Sequence, residues 1–213
     1  MAMPVTDEGP ESKSARTRKR ILDAAAYTLS RKGYADTRLS DVAERAELQA
    51  PAIYYYFPSR DDLVEEVMWS GIAEMREHIS EILDTMPEAT PPIERIMVAV
   101  GAHLRHELEI SDYTTAAIRN AGQVPEKIRA RQIAEEAAYG QVWKQLFQDA
   151  AEAGDLSDHL DLRAARMLTL GALNWASEWW TPSAGPLDVV VHTAQTIIRS
   201  GLSGAADPST VDI

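Results

Sequence analysis

TRLSDVAERAELQAPAIYYYFPSRDDL, residues 37–63, holds two short apolar-periodic runs joined by a tight turn, with three consecutive tyrosines on the second run. Val42, Ala43 and Ala46 recur at helical spacing in the first run, Ile53 and Phe57 in the second. Ala43 is small enough to let two helix backbones approach where they cross steeply, and Leu48 and Ile53 fill the wedge between them. Such a crossing is helix-turn-helix geometry. Ser40 is the expected N-cap of the first helix, with Asp41 at the positive end of its dipole. Pro51 suits the first turn of the second helix, 50–56, where no amide hydrogen is needed. Glu47 falls at the turn position that favours positive φ. Gly is usual there, and a side chain costs about 1 kcal/mol.

Tyr54 is expected to be half-buried. Tyr55 and Tyr56 have apolar bodies and polar tips, which are costly to satisfy in a core. On a groove-facing helix their hydroxyls can reach phosphate oxygens, and a ring can meet a thymine methyl. Pro58 and Ser59 end that helix. Ser59 caps the next one, whose amide end, with Arg60, offers another phosphate site.

On the N-terminal side, Ile21, Leu22, Ala25, Ala26 and Leu29 predict a helix that starts near Ser14 and ends at Gly33. Its first turns carry Arg16, Arg18, Lys19 and Arg20. Alone, this basic run reads equally as a solvated face. Beside a helix-turn-helix it reads as phosphate contact. The net charge is −12, which taken whole opposes DNA binding. Its distribution does not: residues 1–60 hold ten Lys and Arg against eight Asp and Glu, and 61–213 hold eleven against twenty-five. An anionic partner therefore fits the N-terminal end only.

On the C-terminal side, an apolar stripe from Leu63 to Leu83 predicts a long helix over 60–84, able to bridge a small head and a larger body. Further helices are expected at 93–110, 112–121, 125–153, 160–180 and 187–202. Residues 167–180 are apolar on nearly every side. A helix of that kind must be covered all round, and a second copy of the chain is the simple cover. The arm 1–13 and the tail 205–213 have no apolar period and read as disordered. The domains are then 14–59, the DNA-binding head, and 60–204, the body that a second copy covers.

With no cysteine there is neither a disulfide framework nor a thiolate-ligated metal. No apolar run is long enough to span a membrane, and the N-terminus has no apolar core after its charges, so a cytoplasmic protein is expected. His103, His106 and Glu107 share a helix but lack the His-Glu-x-x-His spacing, and no metal or other cofactor is expected. No nucleophile-base pair and no Gly-rich phosphate loop is evident, so an enzyme is not expected.

The stretch 17–67 resembles the TetR family of transcriptional regulators. The resemblance rests on Gly33-Tyr34, Thr37, the Asp41 and Ala43 step, and Tyr54, Tyr56, Phe57, Pro58, Ser59, Arg60, Asp62 and Leu63. Glu47 departs from the family's usual Gly. The resemblance implies an all-α fold of about nine helices: a three-helix head and a larger helical body. It also implies a homodimer that binds a palindromic operator in double-stranded DNA, with its last two helices in an intersubunit four-helix bundle. Gln49, Ala50, Pro51, Tyr54, Tyr55, Tyr56 and Arg60 fall on the DNA face, with Thr37 and Ser40 as backbone contacts. In the seam, Leu168, Trp175, Trp179, Val190 and Ile197 are the expected contacts. The resemblance further implies an effector pocket in the body. Its candidate apolar lining is Met68, Trp69, Ile72, Met75, Trp143 and Phe147, and its polar lining is His103, Tyr113, Asn174 and Glu178. Such residues at helical spacing are also ordinary core. Asn174 and Glu178 stand out, being polar among Trp175, Trp179 and Trp180, and serve either a ligand or simply the dimer seam. The expected function is a ligand-responsive repressor released from its operator by a hydrophobic or amphipathic molecule, with a lipid or acyl-CoA catabolite suggested by the wording APAIYYYFPSR. A helical adaptor with a vestigial head is the alternative, and salt-dependent binding to a palindromic duplex separates the two.

Overall fold

The computed structural model describes residues 13–204, and the arm and tail expectations lie outside it apart from Lys13. The described residues are helical throughout, without strands. The head comprises α1 (Lys13–Asp36), α2 (Leu39–Arg45) and α3 (Ala50–Tyr56). The bridging helix α4 (Arg60–Asp84) follows. The body adds α5 (Pro92–Arg105), α6 (Asp112–Asn120), α7 (Ala130–Glu152), α8 (Leu162–Asn174), the one-turn α9 (Ala176–Trp179) and α10 (Leu187–Ser203). No described helix is long and apolar enough to cross a membrane.

Local chemistry accounts for most boundaries. Ser59 Oγ accepts the Asp62 amide at 3.1 Å and starts α4, and Pro51 sits in the first turn of α3. Glu47 takes φ 54°, the left-handed turn expected of it. Several boundaries differ from expectation, among them the start of the expected helix 125–153, where a 3-10 turn, Glu126–Ile128, precedes α7 at Ala130. Ser40 lies inside α2, whose N-cap position is Arg38; the Asp41 carboxylate accepts the Arg38 amide at 3.3 Å and so does the capping work assigned to Ser40. Gly33 (φ 79°, ψ 171°) breaks the regular helix where its end was expected, and α1 resumes beyond this kink to Asp36. The expected helix 160–180 is broken at Trp175, where the Glu178 amide bonds three residues back to Trp175 O at 3.1 Å, a tightened turn that separates α8 from α9.

The end of the expected fifth helix is a π turn, His106–Ile110, in which the Ser111 amide reaches His106 O at 3.0 Å. Glu107, at the start of that turn and four residues after buried His103, is 0 % exposed.

Two apolar clusters form. The body cluster joins Ile72, Met75 and Ile79 of α4 to Ile96 and Val100 of α5, Trp143 and Phe147 of α7, and Leu173 of α8. The head cluster joins Ile21, Leu29, Ala43, Ile53 and Phe57 to Leu63, Val67 and Met68 of α4. It is completed by body residues Ala116, Val124 and Ile128. The head therefore shares its core with the body.

Helix α6 lies between the head and the bridge. Asn120, wholly buried, accepts the Tyr34 amide at 2.6 Å through Oδ1 and donates from Nδ2 to Leu29 O at 3.2 Å. Arg119 donates to Ser30 O at 2.7 Å. On its opposite side, Thr114 Oγ1 donates to Gly71 O of α4 at 2.8 Å.

Candidate functional site

The exposed face of α3 begins with Gln49 and Pro51 and continues through Tyr54 and Tyr55, with Ala50 and Tyr56 half-buried. Tyr54 is 55 % exposed rather than half-buried, and Tyr55 is 83 % exposed. Ile53 and Phe57 point into the core instead, and Ala50 and Tyr56 pack partly against it. Tyr55 and Tyr56 meet edge to face, with ring centroids 5.1 Å apart. Large aromatic surface left in water on a short helix is unusual unless a partner covers it.

Two expected backbone contacts are engaged internally. Thr37 is buried, and its hydroxyl donates to Gly33 O at 2.7 Å, which removes it from the surface. Arg60 donates to Thr37 O at 3.1 Å and to Tyr34 O, and its guanidinium lies 4.2 Å from the Tyr34 ring centre. It fastens the start of α4 to the turn between α1 and α2. Ser40 is exposed. Of the basic run, Arg18 pairs with Glu66 at 3.2 Å, Lys19 with Asp23 at 3.0 Å, and Arg20 donates to Ala46 O. Arg16 is exposed and forms no ion pair among the described residues. Exposed Arg38 joins it as a cation that the sequence reading did not single out.

The expected effector lining divides. Ile72, Met75, His103, Trp143 and Phe147 come together in the body core. Met68 belongs to the head cluster. Trp69 and Tyr113 are half-buried at the outer surface: Trp69 under the Arg131 guanidinium at 4.1 Å, Tyr113 donating to Asp23 at 2.8 Å. Asn174 and Glu178 are exposed, not buried among tryptophans, and Glu178 pairs with Arg119 at 3.2 Å. The reason is the direction of that helical face: Trp175 and Trp179 are themselves 64 % and 52 % exposed.

The body core contains a polar group that spacing alone undervalued. Tyr139 of α7 lies 2.8 Å from His103 Nδ1, and His103 Nε2 lies 3.4 Å from Glu107 Oε2. With Tyr139 donating to Nδ1, the ring proton sits on Nε2, facing the carboxylate. Neither Glu107 oxygen, nor His103 Nε2, nor Trp143 Nε1 has a hydrogen-bond partner. Burial pushes the Tyr139 hydroxyl pKa upward, keeping it a neutral donor. An unpaired buried polar group costs about 1–3 kcal/mol, so this cluster suits a ligand or water that supplies the missing partners. Glu107 follows His103 by four residues and shares its helical face, where the sequence reading weighed only a metal site. Among the described residues no group of His, Asp and Glu has the arrangement to hold a metal ion.

A second exposed surface belongs to α8, α9 and α10. Leu168 is 75 % exposed and Ile197 66 %, while Val190 is half-buried. An apolar groove of about 290 Å³ runs between these helices, lined by Leu173, Trp179, Val190 and Ile197 among others. A continuous apolar surface of this kind marks an association face.

Comparisons with known proteins agree with this architecture. Residues 21–67 match the family described as bacterial regulatory proteins, tetR family, and residues 89–201 match the tetracyclin repressor-like C-terminal domain. The chain is 22% identical over 186 residues to the fatty acid metabolism regulator protein of Bacillus subtilis, covering 85% of this chain and 93% of the relative. It is 24% identical over 180 residues to the HTH-type transcriptional repressor KstR2 of Mycolicibacterium smegmatis, covering 83% and 84%. The solved structure of AibR in complex with isovaleryl coenzyme A and operator DNA has the same fold, with a TM-score of 0.76 at 18% identity, covering 88% of this chain and 98% of that one.

Proposed function

Because the chain belongs to the TetR family of bacterial regulatory proteins, we propose that it is a homodimeric transcriptional repressor, released from a palindromic operator by an amphipathic acyl thioester of coenzyme A. The observation that carries this reading is the exposed aromatic face of α3 on a head whose core is shared with the body. In the dimer, α8 and α10 of the two copies cover each other through Leu168, Trp175, Trp179, Val190 and Ile197. The two α3 helices then enter successive major grooves, about 34–36 Å apart or a related spacing. Gln49, Ala50, Pro51 and Tyr54 face the bases, while Ser40, Tyr55 and Tyr56 reach the backbone. The effector class follows from the mostly apolar body core with its polar His103–Glu107–Tyr139 centre, and from relatives named for fatty acid metabolism or solved with an acyl thioester.

Release follows from the position of α6. A ligand that enters the core beside α5 and α7 makes better contacts in a state where α6 has shifted. Because α6 is bonded to α1 through Asn120 and Arg119 and to α4 through Thr114, that shift reorients the heads and moves the population away from the DNA-competent spacing.

The test is fluorescence anisotropy with a labelled duplex from the DNA upstream of the gene. Wild type binds with an affinity that falls steeply between 50 and 200 mM salt. Tyr55→Ala weakens binding roughly ten-fold, about 1.4 kcal/mol, and an acyl-CoA releases the wild-type complex. Absent or salt-insensitive binding would overturn the reading.

A further inference from the structure

Between α7 and α8 lies a groove of about 410 Å³, lined by Gln141, Lys144, Phe147 and Gln148 on one side and Leu162, Arg163 and Arg166 on the other. Its charge is anomalous for this part of the chain. Residues 61–213 hold twenty-five acidic side chains against eleven basic ones. Six of the basic residues, Arg76, Arg105, Arg119, Arg129, Arg131 and Arg199, are paired with carboxylates. Lys144, Arg163 and Arg166 are not paired with any carboxylate among the described residues; Arg95 and Lys127 are also unpaired but lie outside the groove, whose lining holds no acidic residue. Arg166 donates one Nη1 bond to Gly140 O at 3.0 Å, and its Nε is buried with no partner. Arg163 and Arg166 stand three apart on one helix, an arrangement of like charges that disfavours itself unless an anion is shared.

The floor of the groove is different in kind. Phe147 lines it, yet is 1 % exposed and packs in the body core with Trp143. Tyr139, Trp143 and Phe147 follow one another at four-residue steps on α7, so the path from Phe147 to the Tyr139–His103 pair is about 12 Å along the helix. The groove thus offers three cations at its rim, two carboxamides beside them, and an aromatic ring separating it from the apolar core.

The geometry points to this groove as the site for the phosphorylated end of the effector: Lys144, Arg163 and Arg166 bind the phosphates, and the acyl end passes Phe147 into the core. The inference rests on the effector reading above and adds to it the site and the chemical requirement, a polyanionic head on an apolar tail. A free fatty acid satisfies only the second half.

Lys144 and Arg163 are exposed, so replacing them leaves folding nearly unchanged. The experiment is isothermal titration of the full-length protein and of the K144Q/R163Q double variant with palmitoyl-CoA, palmitate and coenzyme A alone. Wild type is expected to bind palmitoyl-CoA at least ten-fold more tightly than palmitate, with the advantage shrinking as salt rises. The double variant loses at least ten-fold for palmitoyl-CoA and is unchanged for palmitate, with an unaltered melting curve. Equal binding of palmitoyl-CoA by both proteins, no preference over palmitate, or no binding by wild type each overturns the proposal. The duplex assay separates the two ideas. If palmitoyl-CoA releases both proteins from DNA equally, the groove is wrong and the repressor reading stands; if wild type never binds DNA, that reading falls while the titration still decides the groove.

Discussion

Gly71 sets how closely α6 can approach the bridging helix, and Gly71→Ala tests whether that approach matters. A Cβ at this position would lie 2.2 Å from Tyr113 O, 2.6 Å from Tyr113 C and 2.9 Å from Ala117 Cβ. The first two are backbone atoms and cannot swing aside. Restoring an ordinary contact of 3.4 Å requires α6 to recede by roughly 1 Å. It cannot do so freely, because Asn120 and Arg119 hold its other side against α1. Two effects oppose each other. Helix propensity favours Ala over Gly by about 1 kcal/mol. Overpacking costs about 1–3 kcal/mol, and a backbone clash belongs at the upper end. The net expectation is a loss of about 2 kcal/mol. Gly140→Ala is the control: nothing lies within 4 Å of its added Cβ, so only the propensity gain of about 1 kcal/mol remains. Urea unfolding followed by circular dichroism, at one fixed protomer concentration because a dimer's stability depends on it, reads the difference. The two variants should lie about 3 kcal/mol apart with opposite signs. Equal stability of G71A and G140A would show that α6 and α4 are not locked as described.

Glu47→Gly should raise stability by about 0.5–1 kcal/mol, since it relieves the positive φ at a small entropic cost; the 4.0 Å pairing with Arg20 that it removes is solvent-exposed, and a urea midpoint that falls would contradict this. Arg60→Met removes two carbonyl bonds and the stacking on Tyr34, so about 2 kcal/mol should be lost, with faster hydrogen exchange at the α1–α2 turn. His106 is held neutral, its pKa lowered from 6.5 to about 4, by burial first and then by His78 and His103. The unfolded chain therefore binds the proton first, and stability present above pH 6.5 falls as pH drops toward about 4. Urea midpoints across that window should slope for wild type and lose most of that slope in His106→Gln.

The sequence was most informative where local chemistry decides structure. The limits of α3 and α4 follow from Gln49-Ala50-Pro51 and from Ser59, and the strained turn from Glu47. It was least informative where two similar local solutions compete. Ser40 is a fair N-cap by composition, but Asp41, one residue on, captures the Arg38 amide and starts the helix earlier. Apolar periodicity grouped Met68 with Met75, although seven residues along α4 carry the chain from the head cluster to the body cluster. Asn174 and Glu178 lie on an exposed face and not in the body core, because an exposed apolar face has the composition of a core. The face shared by Glu107 and His103 was legible from their four-residue spacing, but the meeting of His103 with Tyr139 of another helix was not. Asn120, which joins head to body, had one weak signal, an uncapped amide side chain at the end of an amphipathic helix.

The shared core of the head has a consequence for how this protein can be divided. A cut at residue 59 would leave Ile53 and Phe57 without Leu63, Val67, Ala116, Val124 and Ile128 around them. The head is thus not a cassette that can be excised or transplanted onto another body with its stability intact. On the proposed reading, an exchange of specificity is made by resurfacing α3 in place, because α1 to α4 and α6 share one core.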